Sequence, residues 1–387
     1  MNEHVDLAIL GGGCAGLSLA RALANQACTK SVVIIEPRRS YHHDRTWCFW
    51  AEDAHAHSEI VSKSWQQWRV STDDQIIDHT GSRLSYQQIR SDDFYQACLA
   101  TVAETPNIEL RQGLSAERVS DHGDQVMVET EAGLISADFV VDTRPRPPKM
   151  DTAAIWQVFS GAEVETQEPC FDQSIAGLMQ NMTSDQRGLK FVYTLPISAH
   201  RALVQTTRFA LTRCSPDRLD EEFQSDLNDL IKGPVNLHRR ERGCLPMGQT
   251  ELPQDTSLRI MHAGQAAGAL RASSGYGFLR IQAWAETVAR DFARERRLVE
   301  YRPGSRLERK MDAIFLAALT RSPQAASDWF ASLAGNLSGD EFGRFMSQSP
   351  SLDLWLKVIS ALPKAPFVRA LLSGLPEIDR ANQRVAI

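Results

Sequence analysis

The chain has 387 residues, 43% of them apolar, and a formal net charge of −6 at pH 7. This length predicts two domains, and the lack of a basic stripe with interleaved aromatic residues argues against a nucleic-acid partner. The seven cysteines include no C-x-x-C pair, which predicts neither a metal site nor a disulfide framework and favours a reducing, cytoplasmic compartment.

The first elements of the chain predict a βαβ unit. Residues 5–10 form a short apolar run typical of a buried strand, and residues 17–23 carry the apolar stripe of a helix. Residues 32–35 are all β-branched, as in parallel strands that are buried on both faces. Strand, tight turn, helix and strand in this order predict the start of a Rossmann-type α/β domain.

The middle of the chain predicts an antiparallel sheet. Residues 191–196 and 202–209 are strand-like runs separated by a short connection. Ser215 is a favourable N-cap residue and Pro216 suits the first helical position, so a helix is expected to follow the two strands.

The last third of the chain predicts a further strand and then mainly helices. A strand pattern at residues 258–261 precedes a helix pattern at residues 278–296, and residues from 306 onward are helical in pattern. The longest apolar run, residues 314–319, is too short to span a membrane, and no cleavable signal pattern precedes the first strand.

Gly11, Gly13 and Gly16 form a G-x-G-x-x-G motif between the first strand and the first helix. In that position the first glycine permits a tight turn, the second lets backbone approach a pyrophosphate, and the third allows close helix–strand packing. Glu36 ends the next strand and is placed to accept hydrogen bonds from a ribose diol. The motif predicts a bound dinucleotide, either FAD or NAD.

Two later segments favour FAD over NAD. A late strand ends at Asp142, and the small-residue segment 263–268, which contains Gly264, lies far downstream. Small side chains let backbone N–H groups approach a flavin and its ribityl chain. We therefore expect an FAD-binding domain built from residues 1–150 and 255–300, an antiparallel substrate domain at 151–254, and a helical C-terminal region at 301–387.

Several segments of the chain resemble bacterial lycopene β-cyclases, a family of FAD-dependent carotenoid cyclases. The matching segments are 45–49 (R-T-W-C-F), 191–196 (F-V-Y-T-L-P), 243–247 (G-C-L-P-M, preceded by Glu241) and 273–277 (S-S-G-Y-G). The matches are collinear, and the pattern of the C-terminal helices resembles that of the family as well.

This resemblance implies a function and a set of partners. Such proteins close β-ionone rings on lycopene without net redox change, yet they need reduced FAD, for which NADPH is the expected electron source. Arg45, Gly264 and Gly275 are then expected at the cofactor, and Tyr276 at the closing ring. Since a polyene is almost insoluble in water, the resemblance also implies peripheral contact with membrane lipid at the inner membrane surface.

The chain departs from the family pattern where a proton donor is expected. Gln205 and Gln180 replace a glutamate and an aspartate of the family, and an amide cannot protonate an alkene. Glu241 therefore becomes the candidate acid, although its arginine neighbours are also typical of a solvated ion pair. We expect Glu241, Gln205, Gln180 and Tyr276 near the reacting end of the substrate.

The lost carboxyl groups leave three alternatives open. The protein is a lycopene cyclase with another proton source, or a paralogue that acts on another apolar polyene. The third alternative is a redox flavoenzyme, such as a monooxygenase or reductase, which consumes NADPH in each turnover.

Overall fold

The computed structural model describes residues 3–145, 155–248, 257–298, 304–347 and 350–372. The strands of these ranges are β1 (Glu3–Leu10), β2 (Val32–Glu36), β3 (Thr46–Ala51), β4 (Val61–Trp65), β5 (Gln67–Ser71), β6 (Ile76–Thr80), β7 (Ser85–Arg90), β8 (Ile108–Gln112), β9 (Ala116–Asp121), β10 (Val126–Thr130), β11 (Gly133–Asp142), β12 (Ile155–Thr166), β13 (Ile175–Asp185), β14 (Gly188–Pro196), β15 (Arg201–Ala210), β16 (Val235–Met247) and β17 (Ile260–His262). The helices are α1 (Cys14–Asn25), α2 (Ser91–Ala103), α3 (Asp220–Leu230), α4 (Phe278–Glu295), α5 (Arg306–Arg321), α6 (Ala326–Asn336), α7 (Gly339–Ser347), α8 (Leu352–Ala361) and α9 (Lys364–Leu372).

The N-terminal α/β sheet has the strand order β8-β2-β1-β11-β10-β9, and β17 pairs with β11. Strands β8, β2, β1, β11 and β17 run parallel, whereas β10 and β9 extend the sheet antiparallel. All five residues of β2 are buried, as its β-branched run predicts. Helices α1 and α4 share one apolar core with this sheet, in which Leu19, Leu23, Val288 and Phe292 are buried.

The second large sheet has the order β16-β12-β15-β14-β13-β5-β6 and is antiparallel except between β13 and β5. Helix α3 covers one face, where Phe223 and Leu227 pack against Val192 and Val204. Strands β5 and β6 join this sheet although they lie within residues 1–150. The second sheet thus includes strands from the segment expected to form the FAD-binding domain, and the domain boundaries expected from the sequence stay a prediction.

The other face of this sheet packs on a core shared with a third sheet, β3-β7-β4, and with the C-terminal helices α5 to α9. Large aromatic side chains fill that core, among them Trp50, Trp65 and Trp68. No helix in the described part of the chain is long and apolar enough to cross a lipid bilayer.

The observed architecture confirms the predicted fold class: an α/β Rossmann-type domain, an antiparallel sheet and a helical C-terminal region. The helix predicted after Ser215 begins as a 3-10 turn, Pro216–Leu219, and the Ser215 side chain caps it by accepting from the Asp217 N–H. Helix α3 then continues from Asp220.

Candidate active site

The loop between β1 and α1 has the geometry of a phosphate cradle. Gly11 adopts φ +95°, a conformation that favours glycine, and a Cβ on Gly16 would lie 1.9 Å from the Gly11 carbonyl oxygen. Gly13 is the N-cap of α1, and no side chain caps the helix. Among the described residues, apart from its neighbours along the chain, the atom nearest to a Cβ at Gly13 is Arg38 Nη2, at 3.9 Å. The N-terminus of α1 is thus open to an anion.

Glu36 lies against this loop, at the end of β2, and only 3% of it is exposed. Its Oε2 accepts from the Gly12 N–H at 2.6 Å, and its Oε1 accepts from Arg38 Nε at 2.8 Å. Arg38 Nη2 and the Tyr41 hydroxyl both donate to the Gly12 carbonyl at 3.0 Å. Arg38 was not predicted from the sequence, because its contact with the loop depends on how the chain turns after β2.

The second glycine segment lies beside the first. Gly264 has φ +75°, and a Cβ there would lie 3.2 Å from Ala15 Cβ at the start of α1. The Thr143 hydroxyl lies within donor distance of the carbonyls of Leu10, at 2.9 Å, and Gly11, at 3.0 Å, so the end of β11 also closes on the loop. The loop, Glu36 and Gly264 together fit a dinucleotide with its pyrophosphate at α1.

A row of side chains crosses the antiparallel sheet next to this domain. Gly161 on β12 pairs with Glu241 on β16 and with Gln205 on β15, and Gln205 pairs with Tyr193 on β14. Residues in register across adjacent antiparallel strands share a face. Gly161 lies between Glu241 and Gln205, and a Cβ there would lie only 2.7 Å from Gln205 Cβ, so position 161 has no room for a side chain.

Glu241 is held by two donors and is 9% exposed. Its Oε1 accepts from the Thr46 hydroxyl at 2.6 Å and contacts Arg239 Nη1. Arg239 Nη2 in turn donates to Thr46 Oγ1 at 3.1 Å. Thr46 begins β3, directly after Arg45, whose exposed guanidinium donates to the Asp44 carbonyl at 2.7 Å. The carboxyl is thus a partner of two polar side chains rather than a solvated surface charge.

Tyr276 belongs to a cluster of tyrosine hydroxyls, in which Tyr86 is buried and Tyr193 and Tyr276 are half-buried. Its hydroxyl lies 3.3 Å from that of Tyr86, and Tyr193 is a close neighbour whose pKa it affects. Burial raises the pKa of Tyr193 to about 12 and that of the nearby Cys48 thiol to about 12. Burial likewise raises the pKa of Tyr86 and Tyr276 well above the ordinary value. The four groups are therefore neutral near pH 7.

The structure does not bring all the predicted catalytic residues together. Gln180 pairs with Val192, and its amide lies over Gly177, where a Cβ would be 2.1 Å from its Oε1. Val192 precedes Tyr193 in the same strand and points to the other face. Gln180 therefore lies on the face opposite to Gln205, between Met179 (φ 42°) and Asn181 (φ 50°), two non-glycine residues of positive φ.

The remaining predicted cofactor residue, Gly275, lies where the 271–276 turn approaches the sheet. It has φ +76°, and a Cβ there would lie 2.4 Å from Gln157 Oε1 on β12. Gln157 Oε1 is buried and has no hydrogen-bond partner among the described residues. Gly275 therefore packs directly on the sheet, where a side chain would not fit.

Sequence reasoning missed Tyr86, Thr46 and Arg239. Thr46 lies in a segment that resembles the family, and Arg239 precedes Glu241 by two residues, so both offered a signal. Tyr86 offered none, because its contact with Tyr276 joins positions 190 residues apart. Arg280 lies between apolar residues near the start of α4. It forms an ion pair with Glu308, which is 2% exposed.

The fold and the glycine loop define a Rossmann-type dinucleotide-binding protein with an antiparallel second sheet. Solved structures share this fold across most of the chain. A geranylgeranyl bacteriochlorophyll reductase-like protein from Thermoplasma acidophilum is 13% identical, with a TM-score of 0.61 over 96% of this chain and 100% of that chain. p-Nitrophenol 4-monooxygenase from Pseudomonas putida is 12% identical, with a TM-score of 0.57 over 96% and 98%.

Sequence comparison identifies the family. The model of the lycopene cyclase protein family matches residues 6–372, so the chain belongs to that family. A lycopene beta-cyclase from Pseudescherichia vulneris is 27% identical over 73% of this chain and 73% of its own length. A chloroplastic lycopene beta cyclase from Nicotiana tabacum is 25% identical over 74% of this chain and 59% of its own length. The family resemblance found in the sequence is confirmed.

Proposed function

We propose that this protein is an FAD-dependent enzyme that cyclises lycopene, or a similar polyene, to carotenes with β-ionone rings. The observation that carries the proposal is the row of Glu241, Gln205 and Tyr193 on one face of the antiparallel sheet. Tyr276, on the turn that follows the second glycine segment, is a close neighbour of Tyr193 in that row, and its hydroxyl lies 3.3 Å from that of Tyr86. The row therefore combines one carboxyl group with aromatic rings in a largely buried place.

FAD is the proposed cofactor, held by Gly11, Gly13, Gly16 and Glu36, with Gly264, Arg45 and Gly275 completing its site. The proposal is supported by the loop geometry, and a variant of the halogenase PltM with the same fold was solved in complex with FAD, at a TM-score of 0.54. When bound and reduced, FAD supplies an electron-rich surface next to a developing cation. NADPH is the proposed electron source, and it is not consumed stoichiometrically.

The reaction needs a proton to be added and a proton to be removed. The donor protonates the terminal double bond of the polyene, and the resulting cation is captured by the neighbouring double bond, which closes a six-membered ring. Loss of a ring proton then restores a double bond, so the product is an isomer of the substrate. Both the proton donor and the proton acceptor must reach the same end of the substrate.

We assign the proton transfers to Glu241. Gln205 has no titratable proton, and its amide donates to Thr207 Oγ1 at 3.1 Å. The tyrosine hydroxyls are weak acids, because burial raises the pKa of all three. Their rings instead present electron-rich faces that stabilise a cation. Thr46 and Arg239 hold Glu241 Oε1, which leaves Oε2 for the substrate.

Peripheral contact with the inner surface of the cytoplasmic membrane is part of the proposal. Helices α8 and α9 expose six large apolar side chains: Leu352, Leu356, Ile359, Val368, Leu371 and Leu372. Lys357, Lys364 and Arg369 lie among them. Apolar side chains flanked by basic ones are typical of helices that lie in the interface of an anionic bilayer.

Anaerobic turnover tests the proposal. Purified protein is incubated with lycopene and reduced FAD under nitrogen, and the carotenes are separated and identified. We expect β-carotene, with no stoichiometric oxidation of NADPH. Oxygen-dependent NADPH consumption with an oxygenated product would instead make the protein a redox flavoenzyme, and tight polyene binding without a product would make it a carotenoid-binding protein.

A further inference from the structure

The C-terminal helices enclose a cavity of about 210 Å³. Side chains of α5, α6, α7, α8 and α9 form its wall, together with three residues of the turn that contains Gly275 and Tyr276. The main apolar lining residues are Met311, Phe315, Phe330, Leu333, Phe345, Trp355, Val358 and Phe367. None of the residues that line the cavity is among those assigned above to the cofactor or to proton transfer.

The polar side chains of this wall are already engaged with the protein. Asp312 accepts from Arg271 Nη2 at 3.2 Å and from the Ser273 hydroxyl at 2.8 Å, and Arg271 Nη1 also contacts the Phe345 carbonyl. Ser274 donates to the Met346 carbonyl at 3.0 Å.

Lys364, a positively charged residue that lines the cavity, also has a partner within the protein. Lys364 Nζ donates to the backbone carbonyl of Leu362 at 3.1 Å. Each polar side chain of the wall in the described ranges thus already has a protein partner, so a polar group on a ligand would exchange its hydration for little compensation. The wall selects an unsubstituted hydrocarbon.

The cavity has a rim toward solvent and an inner end near Tyr276. Ile359, Val368 and Leu371 line it and are 40%, 49% and 45% exposed, so its rim coincides with the apolar surface of α8 and α9. At the other end, the Arg271 N–H donates to the Tyr276 carbonyl at 2.8 Å. The turn that contains both residues therefore connects the cavity wall, at Arg271, with the tyrosine cluster, at Tyr276.

The size of the cavity suits part of a polyene rather than a whole one. An apolar protein cavity of about 150 Å³ binds benzene, so a cavity of 210 Å³ accommodates a methyl-branched hydrocarbon segment of somewhat greater size. The aromatic wall also suits a conjugated chain, because Phe315 packs against Phe330 at 5.5 Å and Phe345 against Trp355 at 5.5 Å between ring centroids.

We infer that this cavity is a binding site for an unsubstituted conjugated hydrocarbon chain, which enters from the apolar surface of α8 and α9. This inference rests on the proposed function in one respect only: the proposed function identifies the bound hydrocarbon as part of the polyene substrate. The site holds the hydrocarbon by burial of apolar surface alone, and it discriminates against chains that carry a carboxylate.

Two fluorescent polyenes test the inference with the purified full chain. Diphenylhexatriene is a conjugated hydrocarbon, whereas cis-parinaric acid is a conjugated chain with a carboxylate. We expect diphenylhexatriene to bind once per chain and about tenfold more tightly than cis-parinaric acid. Equal affinity for the two probes, or no saturable binding of diphenylhexatriene, overturns the inference.

Substitutions locate the bound probe. Val358→Phe fills the cavity and is expected to weaken diphenylhexatriene binding about tenfold, whereas Ile76→Phe, at a position 67% exposed on β6, is expected to leave it unchanged. Ile359→Glu, at the 40% exposed rim, is a second variant that does not depend on repacking the core, and Ile76→Glu is its control. Unchanged binding in Val358→Phe or Ile359→Glu overturns the inference.

The probe measurements involve neither lycopene, flavin nor turnover, so they separate the inference from the proposed function. A protein that binds diphenylhexatriene in this cavity but does not cyclise lycopene refutes the proposed reaction and leaves the ligand class of the cavity intact. A protein that cyclises lycopene but binds the probe elsewhere supports the proposed reaction and refutes the inferred role of the cavity.

Discussion

Gln205 and Glu241 face each other across Gly161 on one face of the antiparallel sheet. They lie two strands apart, which corresponds to about 10 Å between their backbones. A side chain at position 161 would separate them, because its Cβ would lie 2.7 Å from Gln205 Cβ. An amide and a carboxyl group therefore lie on either side of a position that has no room for a side chain, beside Tyr193.

Gln205→Glu is expected to increase the rate of lycopene cyclisation. The change puts a second carboxyl group on the face that carries Glu241, in a partly buried position where a carboxyl tends to keep its proton. We expect a gain of about tenfold or more in β-carotene formation under nitrogen. Gln180→Glu is the matched control, since Gln180 lies on the opposite face, and an equal gain in both variants would contradict the assignment of the face.

Glu241→Gln is expected to abolish most of the cyclisation. The amide preserves the shape of the side chain and can still accept from Thr46 and Arg239, but it cannot transfer a proton. A fall of roughly a hundredfold or more in kcat is expected, with bound flavin unchanged. Glu165→Gln serves as the control, because Glu165 pairs with His238 at 2.6 Å on the same sheet and is half-exposed. Wild-type activity in Glu241→Gln would remove Glu241 from the mechanism.

Gly16→Ala is expected to disrupt the dinucleotide loop. The added Cβ would lie 1.9 Å from the Gly11 carbonyl oxygen, which forces α1 away from the loop and costs about 1–3 kcal/mol of stability. We expect loss of FAD, measured as flavin absorbance that coelutes with the protein in gel filtration. Gly233→Ala, where a Cβ meets no atom of the described residues within 4 Å, is expected to keep both flavin and stability. Full flavin retention in Gly16→Ala would contradict the assignment of the loop.

His57 is expected to make the protein less stable in mild acid. Burial, with the charges of Arg21 and His55, lowers the pKa of His57 from 6.5 to about 4. The unfolded chain therefore binds a proton that the folded protein does not, and stability falls as the pH decreases from about 6.5 to about 4, by up to about 3 kcal/mol.

Denaturant unfolding at roughly pH 7 and pH 5 measures this effect. The loss of unfolding free energy between the two conditions is expected to be smaller in His57→Phe than in the wild type. His122→Asn, at an exposed position, is expected to keep the wild-type loss. Equal losses in His57→Phe and the wild type would show that other groups cause the acid sensitivity.

Local patterns in the sequence predicted much of the fold and of the cofactor loop. The spacing of Gly11, Gly13 and Gly16 between a strand and a helix encodes a turn that needs no distant partner, and Glu36 follows within the same βαβ unit. The boundaries of β2 likewise follow from a run of apolar residues, and those of α4 from apolar residues at helical spacing. Each element differs from its expected range by only one residue at one end.

The antiparallel sheet shows where such prediction ends. Gln205 and Gln180 are both amides on sheet strands, and the family pattern marks both as former carboxyl positions. The register places Gln205 beside Tyr193, whereas the irregular pairing of β13, with positive φ on either side of Gln180, places that residue on the other face.

By itself the sequence determined the family, the fold class and the nucleotide loop of this protein, because these depend on residues close together along the chain. Only the tertiary structure decided that Glu241 meets Thr46, that Tyr86 meets Tyr276, and that five C-terminal helices enclose an apolar cavity. Those contacts join residues far apart in sequence, and they depend on strand register and helix packing, which the free energy of the whole fold selects.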